Sequence, residues 1–273
     1  MTDAFEPKHI LITGCSSGIG RALVIEAARR GHRVTATARR PESLDDLPAA
    51  RRLALDVTSD ASVAEAVAAA GPVDVLINNA GVSLWGPVEA ASSADVQGAF
   101  ETNLFGALRV TRACLPAMRD RGSGAIFQVS SAAGKRSTAV LGHYAATKAA
   151  LDAYSDALRI ELRPFGIFVC SVLLGAVESA FPQNRQILPH PAYKAIIDGA
   201  MARVASNRTA PHSAASVAER IVDAIETGEP PLRLDGTGDA FALVRQRAEQ
   251  DDVSWEEATL AGLLGSDWPK RTA

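Results

Sequence analysis

The chain has 273 residues, of which 47% are apolar and 22% are charged, and its formal net charge is −3. This apolar fraction can sustain a large core, which excludes an intrinsically disordered chain. The small negative charge, with basic pairs interspersed among acidic residues, gives no electrostatic reason to expect a nucleic acid partner.

Short β-branched runs alternate with longer alanine-rich stretches along the first two thirds of the chain. The predicted strands are His9–Thr13, Arg33–Ala38, Arg52–Leu55, Val73–Ile77, Ala125–Val129 and Ile167–Leu173. The predicted helices between them are Gly18–Arg30, Ser59–Ala70, Ser93–Leu115 and His143–Arg163. Several strands are apolar almost throughout, as expected for parallel strands covered on both faces. The alternation predicts a Rossmann-type α/β fold, a doubly wound parallel sheet of about seven strands with helices on both faces.

The pattern loosens after Gly175. Residues 176–212 are predicted to form a substrate lid, and residues 236–273 a C-terminal helical tail whose role stays open. Helical patterns at Ser213–Thr227 and Thr237–Gln250 flank a possible last strand at Leu232–Leu234. Because no linker, low-complexity stretch or repeat occurs before about residue 175, we predict one domain over residues 1–273.

A glycine-rich turn, Thr13–Gly20, follows the first predicted strand and leads into a helix. Glycine lets the backbone approach a pyrophosphate closely, and the helix N-terminus offers it unpaired N–H groups. A plain glycine-rich turn is the alternative, but the strand before and the helix after favour a nucleotide site. The predicted cofactor contacts in this turn are Gly14, Ser16, Ser17, Gly18, Ile19 and Gly20.

The second predicted strand ends at Ala38, eighteen residues after Gly20, and Arg39 and Arg40 follow at once. In NAD-selective folds an acidic residue near this position binds the adenosine ribose. A guanidinium instead binds a 2′-phosphate, which a carboxylate would repel. The sequence therefore predicts NADP(H), with Arg39 as the favoured contact. The alternative, that the arginines only solvate a loop, applies more readily to Arg40.

Tyr144 and Lys148 stand four residues apart, so they share one face of a predicted helix. An ammonium beside a phenol is expected to lower the pKa of the phenol from about 10. Tyr144 would then exchange protons near neutrality. A lone YxxxK pattern more often denotes an ordinary helix face, so this pair needs support from other residues.

Two further polar positions support the pair. Ser130 and Ser131 follow an apolar run and lie at the carboxyl end of a strand, where open α/β sheets bind ligands. Asn103 is the strongly polar member of an apolar stripe at helical spacing. A buried amide needs partners, so bracing of neighbouring backbone is an alternative to a catalytic role.

The sequence resembles the short-chain dehydrogenases/reductases over roughly residues 8–235. In chain order, the motifs are the TGxxxGxG turn Thr13–Gly20, Asp56-Val57, Asn78-Asn79-Ala80-Gly81, Asn103, Ser131, and Tyr144 with Lys148. Several motifs in one order, with thirteen residues from Ser131 to Tyr144, are more specific than any one of them.

The resemblance implies a role for each motif residue. Tyr144 would be the general acid in reduction and the general base in oxidation, and Ser131 would hydrogen-bond the substrate oxygen. Lys148 would hold the nicotinamide ribose and lower the pKa of Tyr144, while Asn103 would anchor a water that relays protons to Lys148. The remaining implied cofactor contacts are Asp56 and Val57 near adenine, Asn79, Ala80 and Gly81 beside its ribose, and Gly175, Val177 and Ser179 near the carboxamide.

Two positions depart from the family pattern. Leu174-Gly175 stands where the family usually has Pro-Gly, and Gln128 replaces the commoner asparagine before the serine pair. These departures bear on the carboxamide contacts and on the path of the lid, and they leave the proposed chemistry in place.

The predicted activity is hydride transfer between NADP(H) and a carbonyl or secondary alcohol. Phe181, Ile187, Leu188 and Tyr193 in the lid favour a mostly apolar substrate, unless they only pack the lid on the domain. The alternatives are an epimerase or dehydratase on the same fold, and a non-enzymatic NADP(H)-binding regulator. A sensor has no need of a tuned phenol, and epimerases usually have a longer substrate domain.

We expect a cytoplasmic homodimer or homotetramer without a membrane or metal partner. The first nine residues lack a signal-peptide core, and no uncharged apolar run reaches the ~20 residues of a membrane helix. The three cysteines are widely spaced, and the five histidines lack metal-ligand spacing. A stripe of small residues, Ala145, Ala149, Ala153 and Ala157, suits close packing against the same helix of a second subunit.

Overall fold

A computed structural model describes residues 6–178, 185–206 and 212–265. Its strands are β1 His9–Ile12, β2 Arg33–Ala38, β3 Arg51–Ala54, β4 Val75–Asn78, β5 Ser83–Trp85, β6 Gly124–Val129, β7 Ile167–Leu173, β8 Val177–Glu178, β9 Arg185–Ile187, β10 His212–Ser213 and β11 Arg233–Asp235. Its α-helices are α1 Gly18–Arg29, α2 Asp60–Ala70, α3 Ser93–Phe100, α4 Ala107–Arg121, α5 Gly142–Leu162, α6 Lys194–Ser206, α7 Ala214–Glu226, α8 Ala240–Glu249 and α9 Asp252–Leu264. Within these ranges, no helix is both long enough and apolar enough to cross a bilayer.

Seven of these strands form one parallel sheet in the order β11-β7-β6-β4-β1-β2-β3. The strand order reverses at β1, which pairs with β2 on one side and with β4 on the other. Open sheets of this kind bind ligands outside the carboxyl ends of the strands, at the reversal. The predicted Rossmann-type doubly wound sheet is confirmed, and the glycine-rich turn follows the strand at the reversal.

Both faces of the sheet are covered by helices. One apolar layer contains Leu23 and Val24 of α1 and Ile221 of α7, and the other contains Val110 and Met118 of α4. All seven residues of β7 are buried. This two-sided burial is the physical reason why the strands are almost continuously apolar in the sequence.

Most predicted elements coincide with observed ones to within a few residues, but some predictions need correction. The predicted single helix Ser93–Leu115 is divided by a π-helical turn at Glu101–Gly106, and its last part continues to Arg121. Helix α6 and the small parallel pairs β5–β9 and β8–β10 were not predicted, whereas α9 lies in the predicted helical tail 236–273. They are stabilised mainly by contacts between segments far apart in the chain, which a local pattern does not register.

Candidate active site

The turn Thr13–Gly20 closes tightly against the start of α1. Gly14 has a φ of +72°, which residues with a Cβ rarely adopt, and a Cβ there would lie 2.8 Å from Ala80 Cα. A Cβ on Gly20 would overlap the carbonyl oxygen of Gly14. Within this described part of the chain, the N-cap residue Ser17 makes no side-chain capping bond. The first N–H groups of α1 are therefore open to an anionic ligand.

The loop after β4 braces this turn. Asn79 Nδ2 donates to the carbonyl oxygens of Thr13 at 2.9 Å and Gly14 at 3.0 Å. The Thr13 hydroxyl accepts from the backbone N–H groups of Asn79 and Ala80, each at 3.0 Å. Asn79 and Ala80 thus fix the shape of the turn, and their predicted place beside the adenine ribose stays a prediction.

Arg39 and Asp56 lie close together where β2 and β3 end. Arg39 is exposed, while Asp56 Oδ1 accepts from the N–H of Thr58 at 2.9 Å and from its hydroxyl at 2.7 Å. These hydrogen bonds, followed by the charges of Arg39 and Arg109, hold the pKa of Asp56 below its usual value. Val57 is buried beside them. The structure therefore gathers the predicted adenine-side residues at one edge of the sheet.

Ser131 and Tyr144 meet at the carboxyl end of β6. Ser131 Oγ accepts from the N–H of Ala133 at 3.1 Å and donates to the carbonyl oxygen of Leu174 at 3.4 Å, which fixes the hydroxyl. Tyr144, in the first turn of α5, shares a hydrogen bond with Ser131. The hydroxyl groups of Ser131 and Tyr144 are thus close enough to contact the same oxygen atom of a bound molecule.

Lys148 lies one helical turn after Tyr144 and is only 6% exposed. Its Nζ donates to the carbonyl oxygen of Val129 at 2.8 Å and lies 5.8 Å from the centroid of the Tyr144 ring. Burial lowers the pKa of Lys148 to about 8, against the opposing effect of the charge of Asp152. Asp152, a further turn along α5 and fully buried, was not singled out in the sequence.

The expectation that Lys148 lowers the pKa of Tyr144 is wrong for this structure. Burial raises the pKa of Tyr144 to about 12, and the hydrogen bond from Ser131 opposes this only in part. The reason is that desolvation disfavours the charged form of each group, while Nζ is held at a backbone carbonyl and not at the phenolic oxygen. Tyr144 is therefore protonated at neutral pH.

Asn103 lies in the π-helical turn and connects it to two other segments. Its Oδ1 accepts from the N–H of Val82 at 2.8 Å, and its Nδ2 donates to Val82 O at 2.9 Å and to Thr147 Oγ1 at 3.0 Å. A Cβ on Gly81 would lie 3.2 Å from Asn103 Oδ1 and 3.8 Å from Lys148 Nζ. The side chain thus braces backbone, as the alternative interpretation held, and a water relay stays a prediction.

A cleft of about 360 Å³ opens beside Ser131. Its walls come from the loops after β6 and β7 and from α6, α8 and α9. The polar and aromatic residues on these walls include Arg136, Arg203, His212, Asp239, Trp85 and Trp255. The sequence assigned a functional role to none of these six residues. They come from segments far apart in the sequence, so no local spacing signals them.

The predicted carboxamide contacts are placed only in part. The Gly175 N–H donates to Thr237 Oγ1 at 2.9 Å, and a Cβ at Gly175 would lie 2.5 Å from Asp239 Oδ1. Val177 pairs with His212 in the β8–β10 pair. Ser179 lies outside the described residues, as does Phe181 of the predicted lid. Helices α8 and α9 of the predicted tail contribute residues to the cleft, so the tail is part of its wall.

Residues 8–187 match the family model described as short chain dehydrogenase. The chain therefore belongs to the short-chain dehydrogenase/reductase family of oxidoreductases. This agrees with the resemblance drawn from the motifs and with the arrangement of turn, serine, tyrosine and lysine.

Relatives of known name or structure show the same relationship. A 3-ketodihydrosphingosine reductase from Bacteroides thetaiotaomicron is 39% identical over 186 residues, covering 67% of this chain and 68% of the relative. A short-chain dehydrogenase from Streptomyces avermitilis has a TM-score of 0.80 and 37% identity, covering 93% of this chain and 97% of its own. A serine dehydrogenase complexed with NADP⁺ has a TM-score of 0.73 and 29% identity, covering 83% of this chain and 93% of its own.

Proposed function

We propose that the protein is an NADP(H)-dependent oxidoreductase that transfers hydride between the nicotinamide ring and a carbonyl or secondary alcohol. The observation that carries this proposal is the Ser131–Tyr144 pair, with Lys148 one turn below, beside a cleft large enough for a small substrate. Buried ionisable groups at a cleft, with strongly shifted pKa values, are typical of catalytic sites.

The residues present fit a dinucleotide. The closely packed turn around Gly14 and Gly20 keeps the backbone free of side-chain bulk, and the uncapped start of α1 faces it. Exposed Arg39 supports NADP(H) over NAD(H), because its guanidinium is free to approach a 2′-phosphate. The relative complexed with NADP⁺ supports the same choice.

The chain's own residues would position the substrate and move one proton. In reduction, Ser131 donates a hydrogen bond to the carbonyl oxygen, and Tyr144 transfers the proton from its hydroxyl to the same oxygen. The Tyr144 pKa of about 12 keeps that proton available at neutral pH. Lys148 would hold the ribose hydroxyls, and the bound nicotinamide supplies the hydride. In oxidation, Tyr144 would accept the proton from the alcohol.

A mostly apolar substrate is supported by the cleft and by one relative. Leu141, Leu174, Leu243 and Leu263 contribute to the walls beside the two tryptophans. The name of the relative from Bacteroides thetaiotaomicron refers to a keto lipid. We further propose a cytoplasmic homo-oligomer, supported by three buried free cysteines and by the exposed alanines Ala153 and Ala157 on α5.

The test is a screen of NADPH oxidation over ketones, aldehydes and β-keto esters with the unmodified protein and Tyr144→Phe. We expect Tyr144→Phe to lower kcat at least about 100-fold, because the proton donor is lost, while NADPH binding measured by fluorescence is retained. Tyr154→Phe, on the exposed side of the same helix, is the control and should behave as the unmodified protein. Undiminished turnover by Tyr144→Phe would remove this residue from its role.

A further inference from the structure

Two arginines, Arg136 and Arg203, line the cleft that also holds Ser131. Both are partly buried. Burial, and to a smaller extent the charge of Arg203, lower the pKa of Arg136. A cationic group held in a partly buried cleft is stabilised when an anion lies against it.

Arg136 is held in a fixed position, but its hydrogen-bonding capacity is not used up. Its guanidinium carbon lies 4.9 Å from the ring centroid of Trp255, and its backbone N–H donates to Ala132 O at 2.8 Å. Its Nε is buried, and no hydrogen-bond partner for it occurs among the described residues. A buried donor on a cation is costly when unpaired. This cost is explained if a ligand supplies the acceptor.

Asp239, the acidic residue on the same wall of the cleft, contacts other residues of the protein. Asp239 Oδ1 accepts from the hydroxyl of Thr237 at 2.6 Å and lies 3.5 Å from His212 Nε2. Over the described parts of the chain, the ion pairs found do not join Arg136 to any carboxylate. The positive charge of Arg136 therefore lies at the cleft and is not neutralised by a carboxylate within the described ranges.

We infer that the substrate carries a negatively charged oxygen group, a carboxylate or a phosphate, which Arg136 binds while the carbonyl of the substrate contacts Ser131 and Tyr144. The inference deepens the proposed function and rests on it. Guanidinium groups match both kinds of anion, because their parallel N–H groups bind two oxygens at once. With the leucines and tryptophans of the cleft, this defines an amphiphilic substrate such as an aliphatic keto acid.

The arginine pair is placed for the substrate and not for the cofactor phosphates. The turn that would bind the pyrophosphate follows β1, whereas Arg136 follows β6, and β4 lies between these strands. Two strand spacings amount to about 10 Å. The cleft that Arg136 lines also includes Ser131, and part of its wall comes from α6, α8 and α9.

Calorimetry on the NADPH-loaded protein tests the inference without turnover, using octanoate, octyl phosphate and 1-octanol as probes. We expect at least one anion to bind at least tenfold more tightly than the alcohol. Arg136→Gln should abolish this preference while leaving octanol binding unchanged. Arg245→Gln, an exposed arginine on α8, is the matched control and should retain the preference. Equal binding of alcohol and anions, or an equal loss for all three in Arg136→Gln, would overturn the inference.

Turnover provides the second arm. The kcat/KM for an aliphatic keto acid should exceed that for its methyl ester at least tenfold, and Arg136→Gln should remove this ratio by slowing the acid alone. Arg136→Lys keeps the positive charge but loses the two parallel N–H groups of the guanidinium, so it should retain part of the preference for the acid. This variant tests the inference even where Arg136→Gln folds poorly. A protein that reduces the ester as well as the acid contradicts the inference and supports the oxidoreductase. Absence of NADPH binding and of all carbonyl reduction instead contradicts the proposed function, whatever the calorimetry shows.

Discussion

At the scale of single residues, burial shifts the pKa values of Tyr144 and Lys148 in opposite directions, and each shift disfavours the charged form of the side chain. The pKa of Tyr144 rises to about 12 and that of Lys148 falls to about 8, so burial shifts both equilibria towards the neutral form, although Lys148 is still protonated at pH 7. A buried ammonium lowers the stability of the folded protein, and we attribute its presence here to the function of the site. Removing this ammonium should therefore change the free energy of unfolding.

Replacing Lys148 by methionine should stabilise the protein at pH 7. The folded pKa of about 8 lies below the ordinary 10.5, so the unfolded chain holds the proton more tightly. The destabilising effect is complete below pH 8 and disappears as pH rises towards 10.5. We expect the free energy of unfolding to increase by about 1–2 kcal/mol at pH 7, after deduction of the hydrogen bond to Val129.

Urea unfolding at pH 7 and at pH 10 measures this effect. Lys194→Met, at an exposed lysine on α6, is the control and should change stability little at either pH. A Lys148→Met protein that is less stable at pH 7, or equally stabilised at both pH values, would contradict the cost assigned to the buried ammonium.

Arg39 should decide the choice between the two dinucleotides. Arg39→Ala removes a guanidinium that would pair with the 2′-phosphate, and charge-assisted hydrogen bonds contribute about 1.5–3 kcal/mol. We expect the ratio of kcat/KM with NADPH to that with NADH to fall at least about tenfold. Arg40→Ala should leave the ratio close to that of the unmodified protein. A ratio near one before any substitution would show that the cofactor preference was inferred wrongly.

Among the helices and strands, what could be predicted depended on whether the signal was local. The apolar run of β7 and the glycine pattern before α1 are complete within a few residues, so both were predicted nearly to the residue. Helix α6 was missed because its buried residue Ala200 packs with Leu263 of α9, about sixty residues away. The π-helical turn was missed because the spacing of its apolar residues in the sequence differs little from that of an α-helix.

The residues of the candidate site were likewise predicted only where the sequence signal is local. Ser131, Tyr144 and Lys148 were predicted because they follow short motifs on one strand end and one helix. Arg136 and Arg203 stand 67 residues apart in the sequence and become neighbours only through the packing of α6 over the cleft. The expected direction of the Tyr144 pKa was wrong because the depth of burial of a phenol is a property of the folded structure.

The contact between α6 and α9 can be tested at Gly199. A Cβ on Gly199 would overlap the carbonyl oxygen of Leu263, so Gly199→Ala should separate the two helices. Because both helices line the cleft, we expect KM for the carbonyl substrate to rise several-fold, with the Kd for NADPH unchanged. The cost to stability should be about 1–3 kcal/mol.

Gly98→Ala in α3 is the matched control, because a Cβ there meets no atom within 4 Å in the described structure. Alanine is the better helix former, so this variant should be as stable as the unmodified protein or more stable by up to about 1 kcal/mol. An unchanged KM in Gly199→Ala would show that the helix contact does not shape the cleft.

At the level of the assembled protein, the outer face of α5 is the surface that needs explanation. Tyr154 is 47% exposed and Ile160 is 77% exposed, and the small residues Ala153 and Ala157 lie exposed near them. Exposed apolar side chains grouped on one helix are typical of a subunit interface. Of the predicted alanine stripe, Ala145 is buried within the subunit and Ala149 is half-buried, so only Ala153 and Ala157 are exposed for such an interface. The homodimer or homotetramer stays a prediction.

Ala153→Arg should dissociate the oligomer, because a long charged side chain prevents close helix packing. Sedimentation velocity at micromolar concentration is the measurement, and we expect a shift to the monomer. Ala68→Arg, at an exposed alanine of α2, should sediment as the unmodified protein does. A monomeric unmodified protein would refute the predicted assembly.

The family match ends at residue 187, whereas Arg203, His212, Asp239, Trp255 and Leu263 all stand beyond it on the cleft wall. The cleft wall is thus built from both stretches of the chain, because Ser131 and Arg136 lie within the matched residues. We expect substitutions in the last third to alter the substrate preference without touching Tyr144 or the dinucleotide turn. A chimera that exchanges this third with that of a relative should accordingly acquire the donor's substrate and keep its own coenzyme.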